Sequence, residues 1–137
     1  MAREIRGADT DSIVRAALTG LTTRQRVIGN NLANIDTPGF KASRVDFEAK
    51  LAEAIRKRES AAKAQATAPG LTEASQPDLS PSIVRVTETS GREDGNNVDI
   101  DGEMVKLVET NVAYDSLVRL MSARLSLLKT IASGGYR

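Results

Sequence analysis

Six carboxylates form the densest group of chemically active side chains in this sequence. They are Glu88, Glu93, Asp94, Asp99, Asp101 and Glu103. Hard cations such as Ca²⁺ bind several oxygen ligands, and two carboxyl groups can act as the acid and base of a glycosidase. The spacing does not follow the helix-loop-helix calcium motif, and no aromatic residue lies nearby to stack against a sugar. We therefore interpret these residues as solvated charges in a turn.

Other kinds of chemistry are limited by composition. The 137 residues include no cysteine and no histidine, so thiolate nucleophiles, imidazole bases, disulfides and the usual zinc sites are excluded. The formal net charge is +1, from 19 basic and 18 acidic residues, which provides no field to hold nucleic acid or an anionic membrane. We expect no catalytic residue, no cofactor, no metal, no small-molecule substrate and no nucleic-acid partner.

The first eleven residues are rich in charge. Arg3, Glu4, Arg6, Asp9 and Asp11 leave no room for the apolar segment of a cleavable signal peptide. No apolar run elsewhere is long enough to cross a membrane. We therefore expect a chain that has no cleavable signal peptide and does not insert into the membrane.

Two long segments have the hydrophobic spacing of coiled-coil helices. Steps of three and four alternate along each of them. The N-terminal series is Val14, Leu18, Leu21, Gln25, Ile28, Leu32 and Ile35, and the C-terminal series is Met104, Leu107, Asn111, Tyr114, Val118, Met121, Leu125, Leu128 and Ala132. The spacing predicts a mostly α fold with two long terminal helices packed as a coiled coil. Thr10 or Asp11 is the expected cap of the first helix.

A second apolar row lies beside the first on the C-terminal helix. It consists of Leu117, Leu120, Leu127 and Ile131. Together the two rows are wider than one partner helix can cover, so we expect the second row to face neighbouring subunits. The alternative is an internal two-helix core of a monomer.

Charges favour an antiparallel pairing of the two helices. In that orientation each basic cluster faces an acidic one: Arg24 and Arg26 face Glu103 and Glu109, and Asp9 and Asp11 face Arg124 and Lys129. A parallel pairing loses both matches. Exposed ion pairs are worth only about 0.2–1 kcal/mol, so they bias the orientation and add little stability.

The predicted organisation has five segments. Residues 1–35 form the N-terminal helix, 36–58 a turn and a short helix, and 101–133 the C-terminal helix. Residues 59–82 are poor in large apolar side chains and are expected to be a mobile loop. Residues 83–100 are expected to form a small β and turn region, with a possible hairpin between 83–87 and 98–100.

The turn after the first helix carries a recognisable motif. Its residues are Asn30, Asn31, Ala33, Asn34, Thr37, Pro38, Gly39, Phe40 and Lys41. Pro38 and Gly39 suit the two central positions of a type II turn, and Asn30 and Asn34 can bond the last free helix carbonyls. The motif resembles the signature shared by flagellar rod and hook proteins. Residues 95–101, Gly-Asn-Asn-Val-Asp-Ile-Asp, are similar to a second stretch found in the proximal members of the basal-body rod family.

This resemblance implies a structural role. A protein of this family would pass through the flagellar export apparatus uncleaved and assemble into the periplasm-spanning rod. There it would contact copies of itself, other rod proteins and proteins of the basal-body base and export apparatus, and would transmit torque for motility. Two alternatives are another rod protein of the same family and a soluble coiled-coil adaptor that binds one partner helix.

Overall fold

The computed structural model describes residues 2–67, 79–87 and 92–134, with only the backbone described for residues 2–9 and 62–67. The chain forms α1 (Ala2–Ala33), β1 (Ser43–Asp46), α2 (Glu48–Thr67), β2 (Ser82–Arg85) and α3 (Ile100–Ala132). The predicted mostly helical fold with two long terminal helices is confirmed. Among the described residues, no helix is long and apolar enough to cross a membrane.

The two long helices pack antiparallel, as the charges predicted. Three side-chain pairs mark their alignment: Asp11 with Arg124 at 3.1 Å, Gln25 with Asn111 at 2.7 Å, and Asn31 with Glu103 at 2.9 Å. Residue numbers rise along α1 as they fall along α3. The C-terminal end of α1 therefore lies beside the N-terminal end of α3.

A small core lies where α1 meets β1 and the start of α2. Leu21, Val27, Val45 and Phe47 are buried together, and Leu51, Tyr114 and Leu117 pack against them. Phe47 reaches this position because Gly20 has no side chain: a Cβ at Gly20 would lie 2.6 Å from the ring. The Phe47 ring is the one aromatic side chain among the buried members of this cluster.

The short sheet differs from the expected hairpin. β2 pairs with β1 in antiparallel register, from Ser43 opposite Arg85 to Asp46 opposite Ser82. The alternating pattern of residues 83–86 predicted a strand but carried no information about its partner. The segment around Asn97 instead closes the end of the sheet through a side chain, since Asn97 accepts from the Ala42 N–H at 2.6 Å and donates to the Val86 carbonyl at 3.0 Å.

Two helix boundaries also differ from the expectations. α1 begins at Ala2, so neither Thr10 nor Asp11 is its cap. α2 continues to Thr67, nine residues into the segment expected to be a loop. Residues 61–66 are mainly alanine with lysine and glutamine, which are strong helix formers, and low burial does not prevent helix formation. Residues 68–78 of the expected loop lie outside the described residues.

Candidate assembly site: the junction of the two long helices

The signature motif forms the turn that ends α1. The Phe40 N–H donates to the Thr37 carbonyl at 3.2 Å, and Gly39 has a φ of +70°, which is the conformation a type II turn requires at that position. The Asn34 amide donates to the Asn30 carbonyl at 2.8 Å. The predicted turn and the predicted carbonyl cap by Asn34 are therefore confirmed.

The second family-like stretch lies directly against this turn. The Gly39 N–H donates to the Asp94 carbonyl at 2.8 Å, and the Lys41 ammonium donates to the Gly95 carbonyl at 2.7 Å. Gly95 has a φ of +74°, which turns the chain back toward α3. Two segments more than fifty residues apart thus form one junction between the end of α1 and the start of α3.

Asn96 is the centre of this junction. It is completely buried, and its amide nitrogen lies 2.9 Å from each of three carbonyl oxygens, those of Asn34, Ile35 and Thr37. Its side-chain oxygen accepts from the Val98 N–H at 2.8 Å. Helix ends leave carbonyls without partners, and a buried carbonyl without one is costly. Asn96 supplies the donor that the end of α1 lacks.

Asn31 makes the second buried connection. It is also completely buried, and its amide nitrogen donates both to the Ser43 carbonyl at 2.8 Å and to the Glu103 carboxylate at 2.9 Å. Glu103 is only 5% exposed and also accepts from Lys106 at 2.7 Å. The buried charge is therefore both paired and hydrogen-bonded, as burial of a carboxylate requires.

Glu103 corrects the interpretation of the acidic residues as solvated charges. Asp99 is not free either, because its side chain accepts from the Asp101 N–H and caps α3. Asp94 pairs with Arg92 at 3.2 Å. Glu103 therefore makes a buried contact across the junction, whereas Asp94 and Asp99 are exposed and make local contacts in the turn and at the helix cap. Glu88 lies outside the described residues, and among those described no three acidic side chains are placed to hold a metal ion.

Arg24 does not meet Glu103 or Glu109 as expected. It projects from another face of α1, lies 4.9 Å over the Phe47 ring, donates to the Val45 carbonyl at 3.1 Å and forms an ion pair with Glu48. Partial burial raises the pKa of Glu48, but backbone hydrogen bonds and the Arg24 guanidinium outweigh it, so the pKa lies below its usual value. Arg24 joins α1 to β1 and α2.

The predicted rows of apolar residues divide into covered and uncovered groups within the subunit. On α1, Val14, Leu21 and Ile28 are buried and Leu18 and Leu32 are half-buried. On α3, Leu107 and Met121 are half-buried, as is Leu117, which was expected to face neighbours but packs against the core instead. The exposed members are Met104, Val118, Leu120, Leu125, Leu127, Leu128 and Ile131.

The α3 row that faces α1 shares Leu107, Tyr114 and Met121 with the predicted row, but every other member lies one position earlier than predicted. It follows Glu103, Leu107, Thr110, Tyr114, Leu117, Met121 and Arg124, the residues of α3 that are buried or half-buried at steps of three and four. At Glu103 and Arg124 the side chain that faces α1 is polar, so a search for apolar spacing selects the neighbouring Met104 and Leu125 instead. The buried asparagines and Glu103 are polar, so hydrophobic spacing could not identify them. The sequence signal for the junction was the repeated Asn residues near the end of α1 and before the start of α3.

Of the signature residues, Asn31 alone is buried. Asn30, Ala33, Thr37, Pro38 and Gly39 are exposed, and Asn34, Phe40 and Lys41 are half-buried. The junction is held by buried hydrogen bonds from Asn31 and Asn96. Its geometry locks two long helices to each other at one end, which suits a part that bears load.

Comparison with known proteins agrees with this arrangement. The family described as "Flagella basal body rod protein" matches residues 15–41. These residues include most of the apolar series of α1 and the signature turn. The flagellar basal body rod protein FlgB of Bacillus subtilis (strain 168) is 39% identical over 119 residues, covering 87% of this chain and 89% of the relative.

Other relatives carry the same description. FlgB of Borrelia hermsii is 36% identical over 107 residues, covering 74% of this chain and 79% of the relative. FlgB of Salmonella typhimurium is 29% identical over 127 residues, covering 87% of this chain and 89% of the relative. Similarity at this level extends over both long helices and the junction. The chain therefore belongs to the FlgB family of flagellar basal body rod proteins, and its function is that of a structural, non-enzymatic subunit of the rod.

Proposed function

We propose that this subunit joins its neighbours in the rod mainly through the uncovered faces of α3. The observation that carries the proposal is the distribution of apolar surface. Of the fourteen large apolar side chains exposed in the described part of the chain, eleven lie on α3. Burying one such side chain is worth about 1.5–3 kcal/mol, so a partner that covers several of them gains substantial binding energy.

The C-terminal half of α3 has the most exposed members of this group. Leu127 is 65% exposed and Ile131 is 72% exposed. Large contiguous apolar surfaces are uncommon on monomeric proteins and mark interaction sites. The expected partners are copies of this chain, other rod proteins and proteins of the basal-body base and export apparatus, in a rod that spans the periplasm after export without cleavage.

The junction between α1 and α3 has a mechanical role in this proposal. Load applied to α3 by a neighbour passes to α1 through Asn31 and Glu103 and through the loop around Asn96. These contacts are buried hydrogen bonds, so rotation of one helix against the other breaks several of them together. The pair of helices would therefore transmit torque as one body.

The substitution Leu127→Asp tests the use of this face. We expect it to block incorporation into basal bodies and abolish motility, while the free energy of unfolding of the purified subunit stays within about 0.5 kcal/mol of the wild-type value, as is usual for surface substitutions. Ser126→Asp, which adds the same charge at the adjacent exposed position, is the control. Normal motility of the Leu127→Asp variant would contradict the proposal.

A further inference from the structure

The N-terminal half of α3 has an apolar surface that does not face α1. Met104, Val105, Val108 and Val112 are between 48% and 62% exposed, and we call them the valine patch. Steps of three and four place Val105, Val108 and Val112 along one side of the helix. Valine is a weaker helix former than leucine or alanine, so three exposed valines are a poor choice for a solvated helix face. Their presence favours a surface that is covered in the assembly.

Acidic residues lie at both ends of the valine patch. Asp101 precedes it and Asp115 follows it, and both are exposed; Glu109 is exposed at its edge, beside Val105 and Val108. Fourteen residues separate them, or about 21 Å at a helical rise of 1.5 Å per residue. A partner suited to this surface would present an uncharged strip with a positive charge toward each end.

The outer face of α1 has this pattern. Arg15, Thr19, Thr22 and Arg26 are all exposed and follow one another at steps of four, three and four residues; we call them the threonine face. The two arginines are eleven residues apart, or about 16 Å along the helix, and their long side chains cover the remaining difference. After Asp11 the described part of α1 has no acidic residue to oppose this charge.

The two threonines on this face are already satisfied within the helix. The Thr19 hydroxyl donates to the Arg15 carbonyl at 2.9 Å, and the Thr22 hydroxyl donates to the Leu18 carbonyl at 2.9 Å. The side-chain methyl groups are then what a neighbour would contact. Covering this face with valines leaves no hydroxyl donor without a partner, so it avoids the usual cost of burying a polar group.

We propose that in the rod the threonine face of one copy packs on the valine patch of the next copy, with Arg15 near Asp115 and Arg26 near Asp101. This inference rests on the proposed assembly role. Copies that share one direction along the rod place α1 of one copy antiparallel to α3 of the next, because the two helices are antiparallel within the subunit. The two surfaces differ, so the contact is head-to-tail and repeats from copy to copy.

A disulfide between copies tests the contact directly, because the natural sequence has no cysteine. Thr22→Cys and Val108→Cys chains, each with its own tag, are produced together in a flagellated strain that lacks the wild-type chain. Basal bodies are purified, oxidised mildly and analysed on denaturing gels. We expect a product of twice the subunit mass that carries both tags and disappears on reduction.

The matched control replaces Val108→Cys with Ser126→Cys. Ser126 is also exposed on α3, but it lies 18 residues further along, or about 27 Å, so no mixed disulfide should form. If basal bodies contain both the Thr22→Cys and the Val108→Cys chains but no mixed disulfide, this contact is overturned. The rod role is then left intact. A parallel preparation comes from cells that keep the wild-type chain, and absence of that chain from their basal bodies overturns the rod role and this contact with it.

Charge reversal gives an independent measurement. We expect Arg15→Asp alone and Asp115→Arg alone each to reduce the amount of the chain in basal bodies by at least half, and the double variant to recover most of it. Losses that add in the double variant would overturn the pairing of Arg15 with Asp115. The far-ultraviolet circular dichroism of each purified variant shows whether the subunit has kept its helices.

Discussion

Asn31 and Glu103, which lie 72 residues apart in the sequence, share a buried hydrogen bond of 2.9 Å that joins the end of α1 to the start of α3. Asn31 also pairs with the backbone of Ser43, accepting from its N–H at 2.9 Å and donating to its carbonyl at 2.8 Å. One side chain thus connects three parts of the chain. The stability of the subunit should depend strongly on it.

Replacing Asn31→Ala should lower the free energy of unfolding by about 3 kcal/mol. The change leaves two backbone groups of Ser43 and one oxygen of Glu103 with fewer partners in a buried setting, which costs about 1–3 kcal/mol for each unsatisfied group. Urea denaturation followed by circular dichroism measures the loss. Asn30→Ala, at the exposed neighbouring position, should change stability by less than about 0.5 kcal/mol. Similar losses for the two variants would show that the buried amide is not important.

Two glycines of α1 should respond in opposite ways to alanine. At Gly20 a Cβ would lie 2.6 Å from the Phe47 ring, whereas at Gly29 no atom lies within 4 Å of the added carbon. Gly20→Ala should therefore cost about 1–3 kcal/mol through overpacking. Gly29→Ala should add about 0.5–1 kcal/mol, because alanine is the better helix former. Thermal unfolding of both variants is the test, and stabilisation by Gly20→Ala would place the Phe47 ring elsewhere.

The Asp11 and Arg124 pair should show a measurable coupling energy. Both side chains are partly buried, and the ion pair is 3.1 Å long, so a double-mutant cycle with Asp11→Asn and Arg124→Gln should give about 0.2–1 kcal/mol at low salt. The same cycle with Arg119→Gln, an exposed arginine of α3, should give a value near zero. Equal coupling to both arginines would argue against the antiparallel alignment in this structure.

Acid should weaken the contact between Glu48 and Arg24. The pKa of Glu48 is below its ordinary value of 4.5 in the folded subunit, so the unfolded chain binds its proton more readily than the folded chain does. The stability this group contributes is present above about pH 4.5 and is lost as the pH falls through the folded pKa.

The Glu48→Gln variant isolates this contribution. Its free energy of unfolding should be lower than that of the wild-type protein at pH 7, and the two values should approach each other as the solution is acidified below about pH 4.5. Urea denaturation at several pH values measures both proteins. A difference that stays constant between pH 7 and pH 3 would mean that the Arg24 contact does not act through the charge of Glu48.

Local features of the sequence determined much of this protein. Alternating steps of three and four predicted both long helices, the Pro38 and Gly39 pair predicted the type II turn, and the Asp11 and Arg124 charges favoured the antiparallel pairing that the structure shows. Each of these signals is short-range or sums over one face of one helix, so it can be read without knowing the rest of the chain. The signature turn also led to the correct family.

Only the tertiary structure decided which side chains are buried. Leu117 and Val118 are adjacent, and one residue rotates the helix surface by about 100°, so two apolar rows compete and the sequence does not select between them. In the structure Leu117 packs against the core, and the same side of α3 brings Glu103 to Asn31. The partner of β2 and the burial of Asn96 likewise depend on residues more than thirty positions away. Such contacts have no periodic trace in the sequence, since a buried asparagine and an exposed one have the same letter.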